Sequence, residues 1–304
     1  MRRLSPACRL GGVLSRQELA LIVITAFWGM TFLIVQRAMQ YCGPLFFVGL
    51  RFLTAALLGS WVFRRACRGL NRHDLYAGGA IGLSICLGYV LQTWGLKTVT
   101  VSQSAFLTGL YVPLVPFLQW LLMRRRPRLM NLVGILLAFI GMMLMAGPGP
   151  VGVHLSQGEW LTLACAVAIA FEIVLIGYFA GKADLRRVTI IQLYVAGLLS
   201  LVMMPAVREP LPVFSWVWLL AAVVMGCSSI LIQMTMNWAQ RTVLPTRATL
   251  IYAGEPVWGG LAGYAAGERL SSQAILGGAL IVSGVLVSEL RLRRSAPPSI
   301  RDGA

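Results

Sequence analysis

The feature that most constrains this chain is a run of apolar stretches of membrane-crossing length, joined by short connections. They cover residues 18–36, 44–63, 75–96, 102–123, 130–147, 158–180, 188–207, 214–236, 247–267 and 272–290. About 20 apolar residues is what an α-helix needs to cross a hydrocarbon core of about 30 Å. Inside lipid the backbone can satisfy its own polar groups only as a helix or a closed barrel. Of the 304 residues, 58% are hydrophobic and 12% charged, whereas soluble globular domains are about 25% charged. The chain therefore reads as an all-α polytopic membrane protein with ten transmembrane helices and no soluble domain. The first stretch has no small-residue cleavage site and reads as a retained helix, not a signal peptide.

Orientation follows from the cations. A net charge of +16 in a soluble protein would point to nucleic acid, but here the cations sit in clusters between apolar stretches, which is a topology signal. One side holds 21 of them, from Arg2 and Arg16 through Arg64, Arg124, Lys182 and Arg241 to Arg301; the other holds Arg37, Lys97, Arg208 and Arg269. Ten spans with both termini in the cytoplasm account for this split. Nine or eleven would break the alternation. Arg51 lies inside the second stretch near its outer end, where snorkelling to the interface is the expected explanation, ahead of an anionic-substrate contact or an ion pair.

The two halves repeat. At an offset of 143 residues Ala105 falls on Ala248, Leu107 on Leu250, Pro113 on Pro256, Gly134 on Gly277 and Gly141 on Gly284. With one more residue, Thr93–Val99 (TWGLKTV) falls on Asn237–Val243 (NWAQRTV). Each half has five spans, an odd number, so the second must start from the opposite face. That is two inverted five-helix repeats, a plan common in secondary transporters, with the substrate site near the midplane. The expected units are a cytoplasmic segment 1–17, a first repeat 18–147, an extracytoplasmic linker 148–157, a second repeat 158–290 and a cytoplasmic tail 291–304.

Two carboxylates lie deep in this apolar frame. Glu255 precedes Pro256 within the ninth stretch, eight residues from Arg247, or about 12 Å along a helix. Glu172 lies eight residues from the inner end of the sixth, at the same level. Intramembrane charge costs roughly 3 kcal/mol or more, and desolvation disfavours the ionised form, so the pair forms a candidate proton or cation site. The competing reading is structural: Glu255 capping backbone groups freed by Pro256, and Glu172 facing a polar neighbour. Trp28, Thr31, Tyr89, Gln92, Thr108, Tyr111, Gln233 and Tyr252 are the other candidate cavity residues, since a ligand site is an apolar pocket with a few fixed polar groups. Trp28, Tyr89, Tyr111 and Tyr252 suit either pocket or packing. Trp94 and Trp238, near span ends, suit the interface. Gly259, Gly263 and Gly267, and likewise Gly134, Ala138 and Gly141, form small-residue stripes for close helix packing. Pro113, Pro116 and Pro256 are hinge or kink positions.

The six cysteines are scattered without a CxxC pair, the two histidines (His73 and His154) lie in connections, and no nucleotide-binding, zinc-protease or nucleophile-elbow motif is present. No cofactor or metal is expected. Ala26–Gln36 (AFWGMTFLIVQ), the Arg51-Phe52 pair, Gly95–Leu118 and Pro245–Leu270 resemble the EamA-type drug/metabolite transporters, in two tandem units over nearly the whole chain. The resemblance implies a ten-helix carrier with a central cavity, moving small metabolites, amino acids or drugs across a bacterial inner membrane. The expected function is thus secondary transport, with export more expected than uptake, driven by protons or by substrate exchange. Partners would be a small-molecule substrate, protons and membrane lipids, and no nucleic acid. The alternatives are a membrane enzyme acting on a lipid-linked substrate, and a channel or passive scaffold. Substrate, direction, coupling ion and oligomeric state are open from sequence.

Overall fold

A computed structural model describes residues 15–124, 129–146, 155–243, 245–269 and 271–288. The two chain ends beyond these, most of the expected linker, His154 and Cys8 lie outside the described residues. In order, the helices are α1 (Arg16–Ala38), α2 (Pro44–Val62), α3 (Arg72–Gly95), α4 (Val101–Thr108), α5 (Tyr111–Met123) and α6 (Leu129–Ala146) in the first half. The second half holds α7 (Gln157–Phe179), α8 (Leu185–Met203), α9 (Trp216–Ala239), α10 (Pro245–Tyr252), α11 (Glu255–Ala265) and α12 (Ser272–Ser288). Among the described residues, seven spans are long and apolar enough to cross a membrane, with Val101–Leu122 (α4 and α5) counting as one; Leu132–Gly141 of α6 and Ile275–Gly284 of α12 are shorter apolar segments.

Local chemistry sets the helix starts. Ser15 with Glu18 and Ser156 with Glu159 form capping boxes on α1 and α7, the first helix of each half. Thr100 with Gln103 does the same for α4. Each box satisfies backbone donors that a helix cannot satisfy alone. Three more carboxylates act from a distance. Glu209, after α8, accepts from the backbone N–H of Leu45 (3.1 Å) and Phe46 (2.8 Å) at the start of α2. Asp74, in the first turn of α3, accepts from Asp184 N–H (3.0 Å) at the start of α8 and pairs with Arg187 at 3.2 Å. Glu268, after α11, accepts from Val101 N–H (2.7 Å), Ser102 N–H (3.0 Å) and the Ser102 hydroxyl (2.7 Å) at the start of α4.

The fourth and ninth stretches, expected as single kinked helices, are each broken in two. The breaks fall at Gly109–Leu110 and at Ala253–Gly254, three residues before Pro113 and two before Pro256, nearly the same repeat position. A proline withholds the N–H that the carbonyl four residues earlier would receive. For Pro113 that carbonyl is Gly109's, which takes the Val112 N–H instead (3.1 Å).

Packing partners recur between the halves: α3 lies on α7 and α8 as α9 lies on α1 and α2, α1 lies on α11 as α7 lies on α5, and α2 meets α8 and α6 meets α12. The main buried cluster runs from Leu21 and Trp28 through Phe52, Tyr89, Tyr111 and Ile173 to Tyr252. A second cluster, with Phe32, Phe47, Leu96 and Trp218, fills the end of the bundle where α1 and α3 stop and α4 and α9 start.

Glycine allows the closest helix approaches. A Cβ on Gly29 would lie 2.5 Å from Trp258 Cβ, one on Gly259 2.3 Å from Ala105 Cβ, and one on Gly141 2.5 Å from the Gly277 carbonyl. Gly263 is equally tight against Ser102, but Gly267 does not belong to the expected stripe. It faces open space with φ +90° and serves the turn after α11, a backbone conformation that glycine adopts without steric cost.

Two outcomes follow for thermal melts of the purified protein in detergent. Gly259→Val overpacks the α4–α11 contact and should cost about 1–3 kcal/mol, whereas Gly79→Ala, with nothing within 4 Å of its new Cβ, should be neutral or stabilising; equal melting of both variants would refute the close-packing account. Glu268→Ala should cost about 0.5–2 kcal/mol, as other lost helix caps do, and an unchanged melt would show that the Glu268 contacts contribute nothing.

Candidate functional site

Pro256 organises the first half of the site. It withholds a donor from the Tyr252 carbonyl, which lies at the end of α10. The Tyr111 hydroxyl, from the start of α5, stands 3.1 Å from that carbonyl and 3.0 Å from Glu255 Oε2. Glu255 therefore does not cap the freed carbonyl, as the structural reading expected. An ionised carboxylate only accepts, and the tyrosine takes the capping role. One phenolic proton faces two acceptors. Both are fully served when Glu255 is protonated, because the acid then donates to the phenol oxygen while the phenol donates to the carbonyl.

Glu172, at mid-length of α7, anchors the second half. It accepts from Gln233 Nε2 at 2.7 Å. The Gln233 side-chain oxygen Oε1 accepts from Gln192 Nε2 at 2.8 Å, and Gln192 Oε1 from Asn237 Nδ2 at 3.3 Å. Both carboxylates are completely buried. They act on one another electrostatically, but each has its own hydrogen-bond partner.

Aromatic rings lie between the two halves. Trp28 stacks on Tyr89 with centroids 6.4 Å apart and meets Tyr252 edge-on at 6.1 Å. The Arg51 guanidinium lies 4.8 Å from the centroid of the Tyr89 ring and 5.2 Å from that of Phe52, and its Nε donates to the Ser229 hydroxyl at 2.7 Å. Arg51 is only 2% exposed, so the expected snorkelling does not occur. The side chain turns inward, because aromatic faces and a serine replace water and Glu172 supplies opposite charge within electrostatic range. Burying a cation this way is tolerable only with such compensation.

Of the other predicted residues, Gln92 and Thr108 approach each other at 3.4 Å. Thr31 spends its hydroxyl on the Trp28 carbonyl of its own helix (2.6 Å). Trp94 lines a side groove with Cys86, Val90 and Leu161, and Trp238 is exposed, so neither joins the centre. Sequence reasoning missed Gln192, Ser229 and Asn237. A signal was there: Gln192 is an uncharged amide inside an apolar stretch, and Gln233 and Asn237 are one helical turn apart.

Several buried polar atoms around the rings have no protein partner: Glu172 Oε2, Glu255 Oε1, Arg51 Nη2 and Trp28 Nε1. Buried polar groups are normally hydrogen-bonded, and this group offers two donors and two acceptors around an aromatic surface. All four side chains are buried within the bundle.

Comparisons with known proteins identify the family and the fold. A transporter of Archaeoglobus fulgidus, itself uncharacterised, is 27% identical over 276 residues, which cover 90% of this chain and 86% of that protein. A solved structure described only as the crystal structure of a protein has a TM-score of 0.66 and 22% identity; the match covers 91% of this chain and 99% of the other, and it shows a shared fold. The model of the EamA-like transporter family matches twice, at residues 16–147 and 156–290. The chain is a multi-pass membrane protein and belongs to the EamA-like transporter family.

Proposed function

We propose that this protein is a secondary active carrier that exports a small metabolite, amino acid or drug across a bacterial inner membrane by alternating access, with proton coupling at Glu172 and Glu255. The observation that carries the reading is the Tyr111 hydroxyl shared between Glu255 and the Tyr252 carbonyl. A carboxylate placed so that its protonation completes the hydrogen bonding at a helix break links proton binding to backbone shape. Charge supports the same reading. With Arg51, Glu172 and Glu255 all ionised the centre carries one net negative charge, so one proton or one cationic group neutralises it. Charge left unbalanced in the low-dielectric interior is costly.

Ten spans in two inverted repeats, about 18–147 and 158–290, with both termini cytoplasmic, complete the proposal. The recurrence of packing partners between the halves, the matched breaks before Pro113 and Pro256 and the clustering of cations support it. The half-helices then divide by side: α4 and α11 form the outer part of the centre, α5 and α10 the inner part. Carriers of this plan alternate by moving one repeat against the other around a fixed site.

Proteoliposomes with an internal pH-sensitive dye, given pools of amino acids and of small aromatic cations, test this. Wild type should show substrate-evoked proton movement, and Glu255→Gln should lose it while substrate binding survives. Proton movement in both Glu172→Gln and Glu255→Gln at the wild-type rate would sink the coupling assignment. Tyr111→Phe should melt lower, by about 1–3 kcal/mol for the buried carbonyl it leaves unsatisfied, and should slow transport. A variant with unaltered melting and transport would remove Tyr111 from the mechanism.

A further inference from the structure

The amide chain behind Glu172 has a direction. A carboxylate oxygen only accepts, so the Gln233 NH2 must face Glu172 Oε1. Its own oxygen then needs a donor, which Gln192 supplies, and the Gln192 oxygen in turn takes the Asn237 NH2. Asn237 also donates to the backbone carbonyl of Gln233 at 2.9 Å, one turn back on α9. The chain ends at a cavity of about 10 Å³ lined by Asn237 and Arg241 with Phe179, Gly181, Ala183 and Leu185. That is about the room one water needs. The cavity lies where α7 ends and α8 begins, at the end of the bundle that carries Lys182, Arg186, Arg187 and Arg241. The Gln240 amide, buried and close to the Tyr252 hydroxyl, sits at the same end.

Toward the other end, Thr162 and Ser200 each donate to a carbonyl one turn back on their own helix, at 2.8 Å and 2.7 Å. Gln92 and Thr108 on that side bond each other, and among the described residues none of these four groups bonds Glu172, whose Oε1 takes Gln233. Other polar and titratable groups surround Glu172. They are Arg51 of α2, Tyr89 of α3, Tyr252 of α10, Glu255 of α11 and Cys165 of α7 itself; α8 and α9 contribute amides and Ser229.

We propose that Gln192 and Asn237 are positioning residues that hold Glu172 through Gln233 and connect it to the cytoplasmic face, so that Glu172 exchanges protons with the cytoplasm while the centre is closed. This rests on the topology and coupling proposed above. The amides keep their own protonation state. Water admitted along them carries the proton: a hydronium loses H⁺ to Glu172 Oε2, the oxygen without a protein partner, and leaves as water. Oε1 stays on Gln233, so the chain persists through the exchange.

The test is modification of Glu172 by dicyclohexylcarbodiimide, which reacts with protonated buried carboxyls, read by peptide mass spectrometry. Inside-out and right-side-out membrane vesicles, with the pH of each face clamped separately, show which face sets the rate. The rate should follow the pH of the cytoplasmic face alone, falling about tenfold per unit above the titration midpoint. Asn237→Leu and Gln192→Leu should slow it several-fold and remove that dependence, and Asn237→Ser, which keeps a small polar group, should retain it. A rate set by the opposite face, a rate indifferent to both, or no adduct at any pH would overturn the proposal. The wild-type measurement decides this even if the leucine variants fail to fold. Labelling needs no transported substrate, so wild-type transport by Glu172→Gln would refute the coupling role while leaving the labelling result intact.

Discussion

A carbonyl without a donor is the constraint on which the centre of this molecule depends. Hydrocarbon offers no replacement for the N–H that Pro256 withholds, so the protein must supply one from another helix. Tyr111 supplies it, and doing so brings α5 against the α10–α11 junction. The same hydroxyl then faces Glu255. Pro256 thus selects a tyrosine on the opposite half, the tyrosine meets an ionisable neighbour, and the helix break acquires a chemistry that depends on one proton. The corresponding break before Pro113 is satisfied by its own backbone and stays chemically silent. The two halves share a plan but differ in function at this point.

Around the break, burial is compensated group by group. Arg51 has aromatic faces and a serine, Glu172 has a chain of three amides, and Glu255 has a phenol. Each compensation is partial and leaves one polar atom per side chain unpaired. A site finished in this way is expensive for the fold, since unsatisfied buried polar groups cost about 1–3 kcal/mol each. Proteins retain such costs where a ligand is to be recognised or a switch is to be thrown.

The apolar helices were legible because hydropathy acts residue by residue along the chain. Buried Glu172 and Glu255 were legible for the same reason, since a carboxylate in an apolar stretch stands out locally. Arg51 was misread because depth alone cannot tell a side chain that reaches outward from one that turns onto Tyr89; the rings that receive it come from α2 and α3 and are brought together only by folding. Gln192 was overlooked because an amide carries no charge and its significance lies in α9, across the bundle. The helix breaks were visible only as prolines. Whether a proline kinks or interrupts depends on the partner available to the freed carbonyl, and Tyr111 lies 141 residues from it.

The carboxylates that hold helix starts from afar also constrain how the molecule is made. The first turn of α2 is capped by Glu209, 164 residues later in the chain. At about 5–20 residues per second of synthesis, α2 waits on the order of 10–30 s for its partner. Asp74 faces the reverse situation: it is made first and stands ready when Asp184 and Arg187 emerge. The nascent first half therefore lacks this cap on α2 until the second half is made. A truncated chain ending between the repeats would carry α2 with the N–H groups of Leu45 and Phe46 deprived of Glu209.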